Sequence, residues 1–364
     1  MRGAERALLA TALWLVLVAA ASAGEFEFLP PAPTRNFQPI QLIFLNLPFE
    51  RAVVLPPGDV ALQAQTAEIN EIATSSGAID STLKFESNRT VFGFRVGVWD
   101  GWEAGLELPF ISRFGGFLDP VINGAEEFFG AVNPERRLFP EHTFGGFSVA
   151  RGDTSLFAGG EVTFQPGDLS FLVKRQLRLP ESWPRLALRG AVKAPTGDPD
   201  EVLGSGEPDF GLGVAADYQP WERLMLYGNL NLVYPVGPLT DGDLTLNPFV
   251  GQSFAAHLAI TRHWSVFLHE AVYTSPFHGT GAALLDGTVV ELGFGLNVAC
   301  GERFGAQLLG IQNMSGVEQA ADFTLMLALQ WRPWAQTTDL PPVGPPLPPP
   351  TDLPPLGPPP HPPS

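Results

Sequence analysis

The feature that most constrains the fold is an alternation of apolar residues with polar residues or glycine, repeated in many separate segments. Examples are LMLYGNLNLVYP from Leu224, ELGFGLNVAC from Glu291 and DFTLMLALQW from Asp322. A period of two predicts a β-strand with one apolar and one polar face. Segments of about ten residues have the length of a strand that crosses a membrane. The chain is therefore expected to present many short apolar faces to lipid.

The connections between these segments alternate between short and long. Short ones fall at 99–102, 151–153, 180–184, 219–222, 261–263 and 301–303, and longer ones at 114–142, 196–208, 235–247 and 276–286. Bacterial outer-membrane barrels have short periplasmic turns and longer external loops. The sequence predicts an all-β fold, an antiparallel transmembrane β-barrel of about 12–14 strands with a short helix in one external loop.

The tryptophans support this interpretation over a soluble β-sandwich. Indole rings favour the membrane–water interface, where the ring is buried and its N–H stays hydrated. A sandwich would scatter these side chains through its core. The tryptophans that follow the first two dozen residues all fall at or beside the predicted short turns: Trp99, Trp102, Trp183, Trp221, Trp264, Trp331 and Trp334.

Three regions are predicted along the chain. Residues 1–23 combine basic residues, an apolar run and a small-residue cleavage site, which is typical of a signal peptide. Residues 24–335 form the barrel. Residues 336–364 contain 14 prolines, which cannot pair in a sheet, so they are expected to be a disordered periplasmic tail. The tail is a candidate docking site for a periplasmic partner.

Charge and cysteine content restrict the partners. The formal net charge of −17 argues against nucleic acid as a partner. The single cysteine, Cys300, allows no intramolecular disulfide. The expected partners are outer-membrane lipid and a small solute, and no cofactor or metal site is expected.

One stretch carries a family resemblance. DGWEAGLELPFISRFGGFLDPVINGAEEFFGAVNPERR, from Asp100 to Arg137, resembles the domain of unknown function 3187 family of exported bacterial proteins. The GWE turn, the ELPF strand, the GGFLD corner and an acidic, aromatic helix before paired arginines carry the likeness. The resemblance implies a barrel over roughly Phe37 to Trp331, and it implies no activity.

The helix in this stretch is the first candidate functional element. Asp119 can cap it, Pro120 suits its first turn and Gly130 suits its end. We expect the helix to fold inward as a constriction or lid, with packing on the outer rim as the alternative. The residues predicted for the constriction are Asp119, Glu126, Glu127, Phe128, Arg136 and Arg137.

The second candidate site is the polar face of the strands, which would line the lumen. The residues predicted to set selectivity are Arg189, Lys193, Asn229, Asn231 and Gln330. The leading hypothesis is a non-enzymatic channel or transporter for a small solute, including a hydrophobic one. Two alternatives stay open: a structural or docking barrel with a closed lumen, and a lipid hydrolase built from His142, Ser148 and Asp153.

Overall fold

The computed structural model describes residues 26, 28–129, 136, 138–180, 182–239, 244–301, 303–315 and 320–333. The predicted signal peptide and proline-rich tail therefore lie outside the described residues. The elements, in chain order, are a 3-10 helix (Gln41–Ile43), β1 (Val60–Ser75), β2 (Asp80–Trp99), β3 (Trp102–Phe114), α1 (Asp119–Phe129), β4 (Gly146–Arg151), β5 (Thr154–Ala158), β6 (Val162–Pro166), β7 (Leu169–Gln176), β8 (Arg185–Ala194), β9 (Asp209–Trp221), β10 (Leu224–Pro235), β11 (Phe249–Ala259), β12 (Trp264–Tyr273), α2 (Ala283–Asp286), β13 (Val289–Cys300), β14 (Phe304–Asn313) and β15 (Phe323–Trp331).

The sheet closes into an antiparallel barrel of 12 strands, so the predicted fold class is confirmed. The ring runs β1, β2, β3 and then β7 to β15, and β15 pairs back with β1 from Leu62↔Trp331 to Asn70↔Phe323. Closure removes every free strand edge from the ring. No helix of the described chain is long and apolar enough to cross a membrane.

Three short strands, β4 to β6, stand outside the ring, which explains why the sequence allowed a count of up to 14. β4 pairs with residues 80–84 of β2, above the part of β2 that pairs with β3, and β5 pairs with β4. β6 pairs with the last residues of β3 and leads through Gly167–Asp168 into β7. Of the three, β4 alternates between buried and more exposed residues, and all three extend the rim at the long-loop end rather than the wall.

The two faces of each strand differ as the alternation predicted. In β10, Leu230 and Leu232 are exposed on the outer face, whereas Asn229 and Asn231 are buried on the inner face. On β13, Phe294 points outward with 72% of its surface exposed, which only lipid would make favourable. The described rim tryptophans are exposed around the short-turn end: Trp99, Trp102, Trp183, Trp221, Trp264 and Trp331.

The interior of the barrel is filled by residues 28–55, here called the plug. An ascending arm (28–37) starts near the short-turn end, where the Tyr227 hydroxyl donates to the Leu29 carbonyl at 2.8 Å. The chain turns at the 3-10 helix, and a descending arm (45–55) returns to the short-turn end, where the Leu55 N–H reaches Glu103 at 2.9 Å. The plug is thus a hairpin that enters and leaves through one end of the barrel.

The tip of the plug lies in an apolar cluster under the long loops, here called the cap. The Phe44 ring meets Phe249 and Phe277 edge-on, with ring centroids 6.1 and 5.6 Å apart. Leu284 and Leu285 of α2 are fully buried in the same cluster. Burial of one such large side chain contributes about 1.5–3 kcal/mol. The long loops therefore close the barrel at the end opposite to the plug's entry.

Gly97 shows how tightly the plug leaves the barrel. A Cβ added there would lie 2.0 Å from the Pro56 carbonyl oxygen and 2.6 Å from that of Leu55. Both contacts are with backbone, which cannot move aside as a flexible side chain can.

We therefore expect Gly97→Ala to force residues 55–57 away from β2 and to lower the free energy of unfolding by about 1–3 kcal/mol, the usual cost of overpacking. Urea unfolding in detergent micelles measures this. Gly228→Ala is the matched control, because a Cβ there meets nothing within 4 Å. Equal midpoints for the two variants would show that the exit is not constrained at Gly97.

Candidate functional site

The candidate site is the interface between the plug and the inner wall of the barrel. Its clearest ionic contact is made by Glu50 of the descending arm. One carboxylate oxygen lies 2.8 Å from Arg189 Nε on β8, and the other lies 3.3 Å from Lys174 Nζ on β7. Burial opposes ionisation of Glu50, but Lys174 and Arg189 outweigh it and lower its pKa to about 2. Glu50 is therefore docked as a carboxylate between two cations.

Wall carboxylates hold the backbone of the descending arm. Asp209 accepts from the Leu45 N–H at 2.7 Å, and Asp217 accepts from the Ala52 N–H at 2.7 Å. The descending arm is not itself a strand of the sheet, so its N–H groups have no ladder partners and need others inside the barrel. The acidic wall residues supply these acceptors.

Wall amides and cations hold the carbonyl groups of the same arm. Asn229 Nδ2 donates to the Glu50 carbonyl at 2.8 Å, and Asn231 Nδ2 to that of Leu47 at 3.5 Å. Arg189 donates to the Pro48 carbonyl, and Lys193 donates to that of Ile43, in the 3-10 helix just before the arm. The arm is bound by polar groups along its whole length.

The ascending arm makes a second set of polar contacts. Arg35 lies 3.1 Å from Glu107 of β3, which also pairs with Arg95 of β2 at 2.9 Å. Thr34 Oγ1 lies 3.1 Å from His269 Nε2, and Gln307 donates to the Pro30 carbonyl at 2.9 Å. Polar contacts from β3 on one side of the barrel and from β12 and β14 on the other therefore hold this arm.

The five residues predicted for selectivity face the interior. Arg189, Lys193, Asn229 and Asn231 contact the plug directly. Gln330 lines a cavity of about 40 Å³ between the plug and β1, β2, β3 and β15. These residues line a lumen that is occupied, and their role in selectivity stays a prediction.

Sequence reasoning missed the plug itself. Residues 28–57 contain seven prolines and no alternation of period two, so local pattern predicts no strand there. The available signal was that it is rich in large apolar residues, such as Phe37, Phe44 and Phe49, which an exposed linker would not need. Lys174, Glu103 and Glu107 were also missed as lumen residues.

The described part of the predicted constriction lies on the outer side of the wall, which corrects the expectation of an inward lid. Asp119 pairs with Lys84 at 2.9 Å, and Lys84 is on the face of β2 opposite to the inward-facing Leu83 and Phe85. The start of the helix is thus packed on the outer rim, which is the alternative to an inward lid. Period and capping signals define a helix, but they do not say which side of a strand it covers.

A buried polar network anchors this helix. Glu86 accepts from the Leu118 N–H at 2.7 Å, and Arg136 donates to Asn70 at 2.7 Å. Burial alone would raise the pKa of Asp119, but the hydrogen bonds from Lys84 outweigh it, and the pKa is lowered. Arg136 also lies near Asp119 and Asp322, at 3.5 and 3.4 Å. The network is a structural anchor on β1 and β2.

The other residues predicted for the constriction show no contact that would place them in the lumen among the described residues. Glu127 is exposed. Arg137 and the side chains of Glu126 and Phe128 lie outside what the structure describes.

The side chains of the hydrolase alternative are not assembled into a site. The His142 ring is 3.2 Å from the Gly116 carbonyl oxygen, while Ser148 and Asp153 are exposed on β4 and its turn. Within the described residues, no group of three His, Cys, Asp or Glu side chains is placed to hold a metal ion.

Comparisons with known proteins agree with this architecture. Residues 8–333 match a family described as "Protein of unknown function (DUF3187)". The COG4313 outer membrane channel from Pseudomonas putida F1 is similar in fold, with a TM-score of 0.52 at 13% identity over 77% of this chain and 97% of that one. The NanC porin has a TM-score of 0.42 at 9% identity, over 75% of this chain and 98% of that one. No curated protein matches the sequence.

The pKa of Glu50 leads to a test of plug docking. Because it is lowered from 4.5 to about 2 on docking, its contribution is complete above pH 4.5 and is lost as the pH falls toward 2. We expect Ala52→Cys, in a Cys300→Ser background, to react faster with an acid-compatible thiol reagent over this window.

Glu50→Gln should raise the labelling rate near pH 7 by about ten- to a hundredfold, since the carboxylate is absent at every pH. It should also flatten the acid-dependent part of the profile. Asp100→Asn is the control, because Asp100 forms an exposed ion pair with Arg178 outside the barrel. A profile that Glu50→Gln leaves unchanged would contradict docking through this carboxylate.

Proposed function

The chain belongs to the DUF3187 family of proteins of unknown function, and we propose that this member is an outer-membrane channel for a small solute, closed at rest by its own N-terminal plug. The observation that carries the proposal is the polar character of the plug–wall interface. In an apolar core, removal of one partner of a buried ion pair strongly destabilises the protein, because the other charge stays buried and unpaired. Inside a lumen that fills with water, the same charges become hydrated. Water can therefore replace the polar contacts when the plug separates, while the apolar contacts of the tip, Phe37 and Phe49 oppose opening.

The path of the plug supports reversible opening. Both arms end at the short-turn side, at Leu29 and Leu55. The hairpin can withdraw through that end without threading a free chain end through the barrel. The tip makes mainly apolar contacts in the cap, and the arms add smaller apolar clusters with the wall around Phe37 and Phe49. Opening thus requires the release of these apolar contacts and the hydration of the polar groups of both arms.

The size of the barrel also fits a channel. Barrels of about 8 strands are filled by their own side chains, whereas porins of about 16 strands leave an aqueous pore. A ring of 12 strands lies between these sizes. Its interior is wide enough to hold two passes of extended chain, so removal of the plug would leave a narrow aqueous passage.

The location we propose is the outer membrane. The outer face of the ring carries exposed apolar side chains, including Leu212, Leu268 and Phe294. The exposed tryptophans mark the short-turn end, which we place at the periplasmic interface. The predicted signal peptide over residues 1–23 agrees with export.

The test is conductance in planar lipid bilayers. The full chain should conduct rarely, and a variant that lacks residues 28–54 should conduct steadily, because the plug no longer fills the lumen. Migration on a cold gel before and after boiling shows whether each variant is a folded barrel. A second variant, Arg35→Gln with Glu50→Gln, retains the chain but removes two of the three plug residues that form ion pairs with the wall, and leaves Arg51–Asp217 at 3.5 Å. It should open more often than the full chain.

A structural or docking barrel is the competing function, and the filled lumen is the observation that favours it. Under that function, a folded variant without residues 28–54 would not conduct, and the double variant would behave as the full chain does. If the deletion variant does not fold, the double variant decides between the two functions. Arg178→Gln, at an exposed pair outside the lumen, is the control for both.

A further inference from the structure

The lumen wall has a charge distribution that differs from that of the chain as a whole. The chain has a net charge of −17. The adjacent strands β2, β3, β7 and β8 nevertheless turn seven cations toward the interior: Arg89, Arg95, Arg113, Lys174, Arg185, Arg189 and Lys193. Across the same four strands, the inward-facing carboxylates are Glu103 and Glu107. β9, next to β8, adds the inward carboxylates Asp209 and Asp217. Cations therefore outnumber carboxylates by seven to four across β2, β3, β7, β8 and β9, and this arc of the lumen is basic.

The opposite arc is nearly uncharged. Across β10 to β15, which the structure describes in full, the one inward-facing acidic side chain is Glu291, and the sequence places no Lys or Arg on the inner face. Neutral polar groups dominate there, such as Asn229, Ser253 and Asn297. A solute in the lumen would thus meet a basic arc on one side and hydrogen-bonding neutral groups on the other.

The centre of the basic arc already binds an anion, namely the Glu50 carboxylate of the plug. Arg189 and Lys174 contact its two oxygens at 2.8 and 3.3 Å. Arg189 also contacts the Asn229 and Asn231 side-chain oxygens, which fix the guanidinium in place. The lowered pKa of Glu50, about 2, reflects the strength of this cationic environment. Carboxylate binding between guanidinium and ammonium groups is charge-assisted and short.

Withdrawal of the plug leaves these donors without their anion. Lys174 keeps Glu103 at 3.0 Å, but Glu50 is the one carboxylate within ion-pair distance of Arg189 among the described residues. The amide groups of Asn229 and Asn231, which donate to plug carbonyls, are released at the same place. Together they form a preorganised site for a carboxylate that enters from solution.

We propose that the open channel selects small organic acids, and that Arg189 and Lys174 bind the solute carboxylate at the position that Glu50 occupies in the closed state. This rests on the proposed channel function. Glu50 then acts as an internal competitor of the solute. The basic arc as a whole favours anions over cations. Within it, the site at Arg189 favours carboxylates over other anions.

The experiment measures ion selectivity in the variant that lacks residues 28–54. Under a KCl gradient, the reversal potential should show a preference for chloride over potassium. Potassium succinate, added as the probe, should reduce the chloride current as it occupies the site. Arg189→Gln and Lys174→Gln should each raise the succinate concentration for half-block at least tenfold, and together they should shift the reversal potential toward potassium. Arg178→Gln, outside the lumen, should change neither quantity.

The outcomes separate this inference from the proposed function. A folded deletion variant that conducts but prefers potassium, or whose succinate block is the same with and without Arg189→Gln, would overturn the organic-acid site and leave the channel intact. A folded deletion variant that does not conduct would overturn the channel function itself. A charge-retaining variant, Arg189→Lys, should keep chloride preference while weakening succinate block, since a lysine ammonium cannot hold the Asn229 and Asn231 oxygens and a carboxylate at once as the guanidinium does.

Discussion

The structure depends on the mutual satisfaction of charged and polar groups inside the barrel. Some charges of the inner wall pair with each other, such as Lys174 with Glu103, but an empty, dry interior would leave Arg189 without an ionic partner, at a large cost in free energy. The plug resolves this: Glu50 lies between Lys174 and Arg189, and Arg35 reaches Glu107. In return, Asp209 and Asp217 receive backbone N–H groups of an arm that is not a strand of the sheet. Neither part would be stable in a dry lumen without the other.

The plug is held by different kinds of contact at its tip and along its arms. The tip of the plug is held in the cap by apolar contacts with the long loops, such as Phe44 with Phe249 and Phe277. The arms below it are held by ion pairs and hydrogen bonds, together with smaller apolar clusters around Phe37 and Phe49. These contacts respond to different conditions, because water can replace a hydrogen-bond partner but cannot replace an apolar one. The closed state therefore combines apolar contacts that resist opening, most of them at the tip, with polar contacts along the arms that water can replace.

The alternation of the strands made the barrel and its faces predictable. Leu230 outward and Asn229 inward follow directly from a period of two, and the tryptophans identified the short-turn end. Other parts were not predictable from local pattern. The helix α1 was assigned correctly as a helix, but its position against Lys84 on the outer wall depends on a contact between residues 35 positions apart. The strand β4 alternates as wall strands do, and pairing alone shows that it lies above the ring.

The sequence by itself determined that the chain forms a membrane-type barrel with an apolar outside, a polar inside and one tryptophan-marked rim, because these are consequences of residue order within each strand. Tertiary structure alone decided what occupies the interior. Arg189 and Glu50 are separated by 139 positions, and no local period relates a proline-rich stretch to the wall that surrounds it. The wall residues could be recognised as facing inward, but whether they faced water or protein depended on where a segment without regular structure came to lie.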